Sequence, residues 1–354
     1  METRVSEASR PRIQRIAQMA GVSTATVDRV LNNRGGVSKK AVTAVTESVK
    51  RLSEEEPTNS SEAVYDVILP MKAGLSTEYL AAAFKYLADA RGMRLRYTEV
   101  ERLNAQSLSA ELRRCEQEGS SGIAFQALED PLVRETASHL IASGTRLFTV
   151  VSDLPGIGHG YIGLDNRAAG RTAGYLMGLL CKGSGTVAVI WGGHLYRAHE
   201  ERESGARSFL RTEYPDIEIL DVNCTRDDAE EADGRLTALL QKEKGLKGVY
   251  CVGAGIIGAV RALERIRLTT PPVVVGHNLT MNTRDFLLRR QMDVIVHQDM
   301  TEIAGKALDY LVATPEKLRS LVGEVPIQII TRENLSNQLS LEPLREYLKP
   351  NETA

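Results

Sequence analysis

Short β-rich apolar runs alternate with helical patterns over most of the chain, and this alternation constrains the fold more than any other feature. Strand, helix and strand in repetition indicate a parallel, doubly wound sheet. There are too many strands for one sheet, and a turn-like junction falls near residues 160–165. We therefore predict an α/β fold of two Rossmann-like lobes, with ligands bound beyond the carboxyl ends of the strands. The predicted strands are 63–69, 122–125, 147–151, 185–190, 217–222, 248–252, 272–275 and 292–296.

The charge is unevenly distributed along the chain. Residues 1–52 carry ten Lys or Arg and four acidic residues, a net charge of +6, whereas the whole chain of 354 residues has a net charge of −2. The remainder is therefore acidic. A small basic segment ahead of a large acidic one predicts that the first segment binds a polyanion.

Residues 13–52 show three short apolar stripes at helical spacing. Gly21 separates the first two and suits a tight left-handed turn. Ser23 or Thr24 stands where the second helix needs an N-cap, and Ser38 can cap the third. Ala17 lies four residues before Gly21 and Val27 six after it, which is the helix-turn-helix pattern.

The second of these helices is predicted to carry the contacts with a partner. Its outward side chains suit phosphates and base edges in a major groove, which favours double-stranded DNA over the alternative of a small protein-docking unit. These outward residues are Ser23, Thr24, Thr26, Arg29 and Asn32.

The run IAQMAGVSTATVDRVLNNRGGVSKKAV at 16–42 resembles the DNA-binding head of the lac repressor (LacI/GalR) family. The resemblance implies that Thr24 and Ala25 read bases and that Ser23, Thr26, Arg29 and Asn32 contact the DNA. Asp28 stands where the family usually has Ser. A carboxylate near phosphates lowers affinity unless a cation compensates it, but it can also accept a hydrogen bond from a cytosine amino group.

Residues 53–63, SEEEPTNSSEA, read as a solvated linker between domains. Family members usually carry a basic hinge helix here, with a Leu that enters the minor groove and bends the DNA. The segment in this chain is acidic and lacks that Leu. We therefore expect weaker or differently bent DNA binding, with more loosely tethered heads.

Residues 64–341 resemble the type I periplasmic sugar-binding-protein fold, which is the usual effector domain of the same family. The resemblance implies one lobe from residues 64–162 with 297–322. It implies a second lobe from 163–296 with 323–341, followed by a tail at 342–354. With the helix-turn-helix domain at 1–52, this predicts a small all-α head followed by two lobes.

Polar residues near the predicted strand ends give the candidate effector site. The resemblance implies that Asp153 holds a pair of sugar hydroxyls and that Gln298 contacts ligand. Asn278 falls where the family has an Asp, and Glu200 falls where it has a sugar-binding Arg. Asp, Asn, Gln and Arg offer paired donors and acceptors to vicinal hydroxyls, so we predict a sugar or polyol effector. The candidates are Met71, Lys72, Asp153, Asp165, Arg197, His199, Glu200, Arg202, Asn278 and Gln298.

A nicotinamide-dependent enzyme is the main alternative. Gly253, Gly255 and Gly258 form a G-x-G-x-x-G motif between a predicted strand and a helix, the context that a dinucleotide site needs. However, the next strand ends in His277 and Asn278, with no acid for the ribose hydroxyls. We favour a tight turn at the effector site and expect no catalytic residues and no cofactor. An exported sugar-binding protein is a third interpretation, disfavoured by the basic head.

The remaining expectations follow from the same analysis. The first 30 residues lack the apolar stretch of a signal peptide, and no apolar run is long enough to span a membrane. The four cysteines are scattered, and the histidines lack metal-ligand spacing, so we expect no metal site. The sequence thus predicts a cytoplasmic, homodimeric transcription factor, a repressor that binds a pseudo-palindromic operator.

Overall fold

The computed structural model describes residues 17–31, 37–38, 40–45, 47–48, 63–157, 160–223, 228–253, 255–266, 268–318, 323–337, 344 and 347–348. The chain divides into two compact units, Met1–Glu62 and Ala63–Ala354. Most of the linker predicted at 53–63, and Asn32, lie outside the described residues.

Within its described residues, the N-terminal unit contains three helical segments: residues 17–20, Thr24–Leu31 (α1), and 40–45 with 47–48. Ala17, Val27 and Val45 are its buried core. Gly21 has a φ of 63°, and the Ser23 hydroxyl accepts a hydrogen bond from the Thr26 backbone N–H at 3.2 Å. The predicted left-handed turn and Ser23 cap are therefore confirmed, as is the Ser38 cap, which accepts from Ala41 N at 3.3 Å.

The first lobe of the larger unit contains a five-stranded parallel sheet of order β2-β1-β3-β4-β5. One face packs against α2 and α10, and the other packs against α3 and α4. The strands are Val64–Pro70, Arg94–Val100, Gly122–Phe125, Leu147–Val150 and Gly160–Ile162; the helices α2, α3 and α4 are Leu75–Ala90, Ala105–Gln117 and Pro131–Ala142, and α10 is Met300–Val312.

The second lobe contains a six-stranded sheet of order β11-β10-β9-β8-β6-β7, parallel except for the antiparallel pair β10–β11. Helices α5 and α6 cover one face, and α7, α8 and α9 cover the other. Strands β6 to β11 are Gly185–Trp191, Ile217–Asn223, Leu246–Cys251, Val273–His277, Val294–His297 and Gln328–Ile330. Helices α5 to α9 are Asn166–Leu180, Arg197–Glu213, Ala229–Lys242, Ile256–Arg265 and Met281–Leu288; α11, Pro315–Leu318, precedes β11, and a 3₁₀ segment, Arg332–Asn337, follows it.

The chain crosses between the lobes near residues 163–165, 298–299 and 323–325. Two of these crossings are joined by hydrogen bonds, from Gly163 N to Gly323 O at 3.1 Å and from Val325 N to Gly163 O at 3.0 Å. The two doubly wound sheets confirm the predicted α/β fold class, and the all-α head precedes them. Within the described part of the chain, no helix combines the length and apolar character that crossing a bilayer requires.

Candidate ligand cleft and DNA-binding head

A cleft of about 240 Å³ lies between the lobes, at the carboxyl ends of their strands. Its position is the one expected for ligand sites in doubly wound folds. The first lobe contributes residues 73–78, Arg102, Gln126 and Val151. The second lobe contributes Tyr196, Ala198, His199, Arg202, Gly253, Ile256, Ile257, His277, Asn278, Thr280, Asn282 and Thr283.

Three side chains at the first crossing form a hinge network: Tyr161, Asn166 and Arg202. Arg202 is 2% exposed, and its Nε donates to Asn166 Oδ1 at 2.8 Å. Asn166 Nδ2 lies 3.0 Å from the Tyr161 hydroxyl, which donates to the Leu164 carbonyl at 2.9 Å. Since Tyr161 belongs to the first sheet and Arg202 to α6 of the second lobe, the network ties the lobes together beside the cleft.

Close packing of α5 on α6 holds this network in place. A Cβ on Gly170 of α5 would lie 2.0 Å from the Arg202 carbonyl oxygen, and one on Gly205 of α6 would lie 2.4 Å from the Arg167 carbonyl oxygen. Both positions therefore exclude any side chain. The two helices approach closely enough for Asn166, at the start of α5, to reach the guanidinium of Arg202.

His277 closes β9 and lines the cleft. It is 5% exposed, its Nε2 lies 2.8 Å from the Tyr250 hydroxyl, and its Nδ1 has no hydrogen-bond partner among the described residues. Burial, followed by the charges of Arg202 and His199, holds the pKa of His277 well below its usual range. The imidazole is therefore neutral at physiological pH.

Two cleft residues have backbone conformations that non-glycine residues rarely adopt. Val151 has a φ of 64°, as does Asn278. For a β-branched residue such as Val151 this costs about 1–3 kcal/mol. The Val151 carbonyl accepts from Asn166 Nδ2 at 3.3 Å, so the hinge network stabilises this conformation. Asn278 Oδ1 accepts from Gln298 Nε2 at 3.4 Å.

The lobes also contact each other directly. Met281 N, in the first turn of α9, donates to the Tyr79 hydroxyl of α2 at 3.1 Å. Glu129 N, after β3, donates to the Leu195 carbonyl, after β6, at 2.9 Å. Tyr196 of the second lobe packs into the first lobe's core cluster. The described conformation is therefore a closed one, in which the two lobes touch and residues of both line the cleft.

The structure places His199, Arg202 and Asn278 together in the cleft lining. Gln298 is fully buried behind Asn278, and its side chain contacts that residue. Asp153 accepts from the Thr149 hydroxyl at 2.8 Å and from Leu154 N at 2.7 Å, which braces the loop after β4.

The other predicted effector residues occupy different surroundings. Asp165 caps α5 by accepting from Ala168 N at 2.8 Å, and its side chain is exposed. Arg197 pairs with Glu201 at 2.8 Å, and Glu200 lies 3.8 Å from His194. Met71 and Lys72 are exposed in the turn after β1. None of these five predicted residues is in the cleft lining.

Sequence reasoning did not single out several lining residues. Glu78 lies in the first turn of α2, Arg102 in the loop after β2, and Asn282 in the first turn of α9. A search of the predicted strand ends does not find these residues. Glu78 and Asn282 lie at helix starts, and Arg102 follows β2, a strand without an apolar run. The sequence does offer a signal for the start of α9, because Thr280 and Thr283 have the spacing of the capping box that the structure shows there.

The glycine motif of the enzyme interpretation has a packing role. A Cβ on Gly258 would lie 1.9 Å from the Ala229 carbonyl oxygen, so this glycine permits the contact of α8 with α7. Gly255 is the N-cap of α8, and Gly253 lines the cleft. The motif therefore forms the predicted turn between β8 and α8.

In the head, α1 presents a polar surface to solvent. Ser23, Thr24, Ala25 and Arg29 are exposed, and Thr26 is half-buried with its hydroxyl 2.9 Å from that of Ser23. Asp28 belongs to the same helix. Small hydroxylated side chains beside an exposed guanidinium are suited to phosphates and base edges.

Comparisons with known proteins agree with this architecture. The family model of a periplasmic binding protein domain matches residues 76–314, more than half of the chain, and the model of bacterial regulatory proteins of the lacI family matches residues 12–53. A helix-turn-helix head joined to a two-lobed ligand-binding domain defines a class of DNA-binding regulators. The chain belongs to the lac repressor (LacI/GalR) family of that class.

Solved structures share the fold of the larger unit. A solute-binding protein from Burkholderia graminis, in complex with D-arabinose, is 22% identical with a TM-score of 0.71, over 78% of this chain and 97% of that one. GanP, a glucose-galactose binding protein from Geobacillus stearothermophilus, is 21% identical with a TM-score of 0.69, over 78% and 99%. A protein from Bacteroides fragilis assigned as a LacI transcriptional regulator is 18% identical with a TM-score of 0.66, over 77% and 98%. No curated protein matches the chain significantly.

Proposed function

We propose that this chain is a repressor of transcription whose DNA affinity is controlled by a small hydroxylated effector, a sugar or polyol, bound in the cleft. The observation that carries the proposal is the combination in one chain of a helix-turn-helix head and a closed cleft lined by polar side chains of both lobes. The effector changes DNA affinity only by as much as its affinities for the two states of the protein differ.

The chemistry of the cleft supports a hydroxylated effector. Gln126, Asn278, Asn282 and Thr283 offer neutral donors and acceptors beside Arg202. Such a set satisfies vicinal hydroxyls in pairs and discriminates against ligands that lack them. Structural relatives in complex with D-arabinose or D-allose, and one named as a glucose-galactose binding protein, point to the same class of ligand.

The head supports the DNA-binding half of the proposal. We propose that Thr24 and Ala25 contact bases, that Ser23, Thr26, Arg29 and Asn32 hold phosphates or base edges, and that Asp28 modulates affinity. A homodimer would place two heads on the half-sites of a pseudo-palindromic operator. Because its target is DNA, we propose that the protein acts in the cytoplasm.

The experiment is the selection of duplexes by the purified full-length protein from a random pool, at moderate salt. We expect an enriched palindrome, bound with an affinity that falls steeply as salt rises. A pool without enrichment, or an affinity insensitive to salt, would contradict the DNA-binding proposal.

The enzyme alternative is tested separately. The proposal is that the protein binds ligands and does not catalyse a reaction, since Gly258 serves helix packing and no acid follows β9 at His277 and Asn278. We expect no saturable binding of a nicotinamide dinucleotide in calorimetry. Saturable binding abolished by Gly253→Val would favour the enzyme instead.

A further inference from the structure

Four helices begin at the cleft. The first turns of α2, α6, α8 and α9 all contribute lining residues: Ser76 and Thr77, Ala198 and His199, Ile256 and Ile257, and Asn282 and Thr283. Each helix start carries partial positive charge, because its first backbone N–H groups have no partner within the helix. The cleft therefore receives the positive ends of four helix dipoles, two of them from long helices.

The caps of these helices differ from those of the other large helices. Among the described residues, the starts of α2, α6 and α8, at Gly74, Tyr196 and Gly255, have no side-chain cap, and α9 has the neutral cap Thr280. The other helices of 12 or more residues among the described residues are each capped by a carboxylate or an amide that accepts backbone N–H bonds. These caps are Asn104, Asp130, Asp165, Asp228 and Asp299, and none of them lines the cleft.

The charged side chains of the lining are also predominantly cationic. Arg102 and Arg202 enter from opposite lobes, and Glu78, in the first turn of α2, is the acidic residue of the lining. Glu200, in the first turn of α6, lies outside the lining near His194. Arg202 is almost completely buried, so its charge acts through a medium that screens it weakly.

His277 adds an independent indication of a ligand. The side chain is more than nine-tenths buried and lines the cleft, yet Nδ1 has no partner among the described residues. A buried polar atom without a partner is costly, and a ligand is a natural way to satisfy it. When the Tyr250 hydroxyl donates to Nε2, the imidazole proton stays on Nδ1, which is then a buried donor without a partner among the described residues.

We propose that the effector carries an anionic group, a carboxylate or a phosphate, on its hydroxylated skeleton. Two guanidiniums, the uncapped helix starts and the Nδ1 donor of His277 converge on the cleft and favour negative charge. This inference rests on the proposed function, since it specifies the class of the same effector. A sugar acid and a sugar phosphate share the required chemistry.

The test compares matched pairs of probes on the full-length protein. D-gluconate is paired with D-sorbitol, D-galacturonate with D-galactose, and glucose 6-phosphate with D-glucose. Thermal denaturation first finds the pairs that stabilise the protein, and calorimetry then gives both affinities. We expect the anionic member of at least one pair to bind at least about tenfold more tightly than its neutral partner. The carboxylate and phosphate pairs identify which group is preferred.

Substitutions then locate the preference. Arg102→Gln should weaken binding of the anionic member by about tenfold or more and leave the neutral member nearly unchanged. Glu78→Gln should strengthen binding of the anionic member. Arg289→Gln is the matched control, because Arg289 is exposed and pairs with Asp285 on the surface of α9, outside the lining. It should change neither affinity.

The outcomes separate the inference from the proposed function. Neutral members that bind as tightly as their anionic partners, or more tightly, would overturn the inference and leave the proposed function intact. The same holds if anions are preferred but Arg102→Gln and Glu78→Gln leave the preference unchanged. If no member of any pair binds, the proposed function is contradicted together with the inference.

Discussion

Two buried histidines at the carboxyl ends of strands in the second sheet, His277 and His297, are held neutral by their surroundings. His297 Nδ1 accepts a hydrogen bond from Leu279 N at 3.0 Å, which only the unprotonated nitrogen can do. Burial lowers the pKa of His297 to about 4, against an opposing effect of Asp299. Both residues act in the same direction, because the pKa of His277 is also lowered.

These histidines make stability depend on pH. An unfolded histidine titrates near 6.5, so between about pH 6.5 and 4 the unfolded chain binds more protons and folding stability falls as pH falls. For His297 alone we expect a loss on the order of 2 kcal/mol between about pH 7 and pH 5. Urea denaturation at the two pH values measures it. His297→Asn, whose amide oxygen can accept the same hydrogen bond, should lose part of the dependence; an identical dependence would contradict the assignment.

Asn166 is the residue on which the hinge network depends. Its amide oxygen accepts from Arg202 and its amide nitrogen donates to Tyr161, so Asn166→Ala removes the acceptor of the buried Arg202 Nε and the contact with Tyr161. We expect destabilisation by about 1–3 kcal/mol in urea denaturation. Asn223→Ala, at an exposed strand end, is the control and should stay within about 0.5 kcal/mol. Equal effects of the two substitutions would contradict a structural role for the network.

The sequence located some of the cleft residues and not others, for a physical reason. Three of the predicted residues, His199, Arg202 and Asn278, lie in the cleft lining, at the edge where doubly wound folds open their ligand sites, and their role toward an effector stays a prediction. The places of Arg102 and Glu78 in the lining depend on how the two lobes face each other, and no local sequence pattern predicts that arrangement. The lining residues of the second lobe are distant from them in sequence, so only the folded chain brings the two sets together.

At the scale of elements, the contact of α5 with α6 depends on glycine. Gly170→Ala would place a methyl group 2.0 Å from the Arg202 carbonyl, so the helices must separate. We expect destabilisation of more than about 2 kcal/mol, by the cost of overpacking. Gly234→Ala is the matched control, because Gly234 lies inside α7 with no atom within 4 Å of the added Cβ. It should stabilise by up to about 1 kcal/mol through helix propensity; equal destabilisation by both substitutions would contradict the packing argument.

The sequence predicted eight of the strands in the described part of the chain but missed β2, β5 and β11. Strand β2 reads RLRYTEV and has no apolar run, because it is an edge strand whose charged residues find partners: Arg96 donates to the buried Asp66 at 2.7 Å. Strands β5 and β11 have three residues each, too few to show a period. The alternation of apolar runs and helices therefore predicts central strands well and edge strands poorly.

In the head, the exposed face of α1 is the element to test. Arg29 is exposed on that face, and Arg29→Ala should weaken binding to a selected operator by about tenfold or more. Fluorescence anisotropy with a labelled duplex measures the affinity. Arg289→Ala, an exposed arginine of the larger unit, is the control. Unchanged binding by Arg29→Ala would contradict the assignment of α1 as the DNA-contacting helix.

For the whole protein to act as a regulator, ligand binding in the cleft and DNA binding by the head must be coupled. The hinge network and the contact of Tyr79 with Met281 hold the lobes closed, so a ligand that favours or opposes closure shifts the balance of states. Coupling is reciprocal: a ligand that changes DNA affinity must have its own affinity changed by DNA to the same extent. A ligand-binding domain without such coupling would not make the protein a regulator.

The most direct measurement is the dissociation constant of the full-length protein for its selected operator, with and without a saturating cleft ligand found by the paired probes. We expect this constant to change by at least about fivefold, and we expect Asn278→Ala to abolish the change by removing ligand binding while DNA binding is retained. An operator affinity that stays the same while the ligand demonstrably occupies the cleft would contradict the claim that this protein is an effector-controlled regulator.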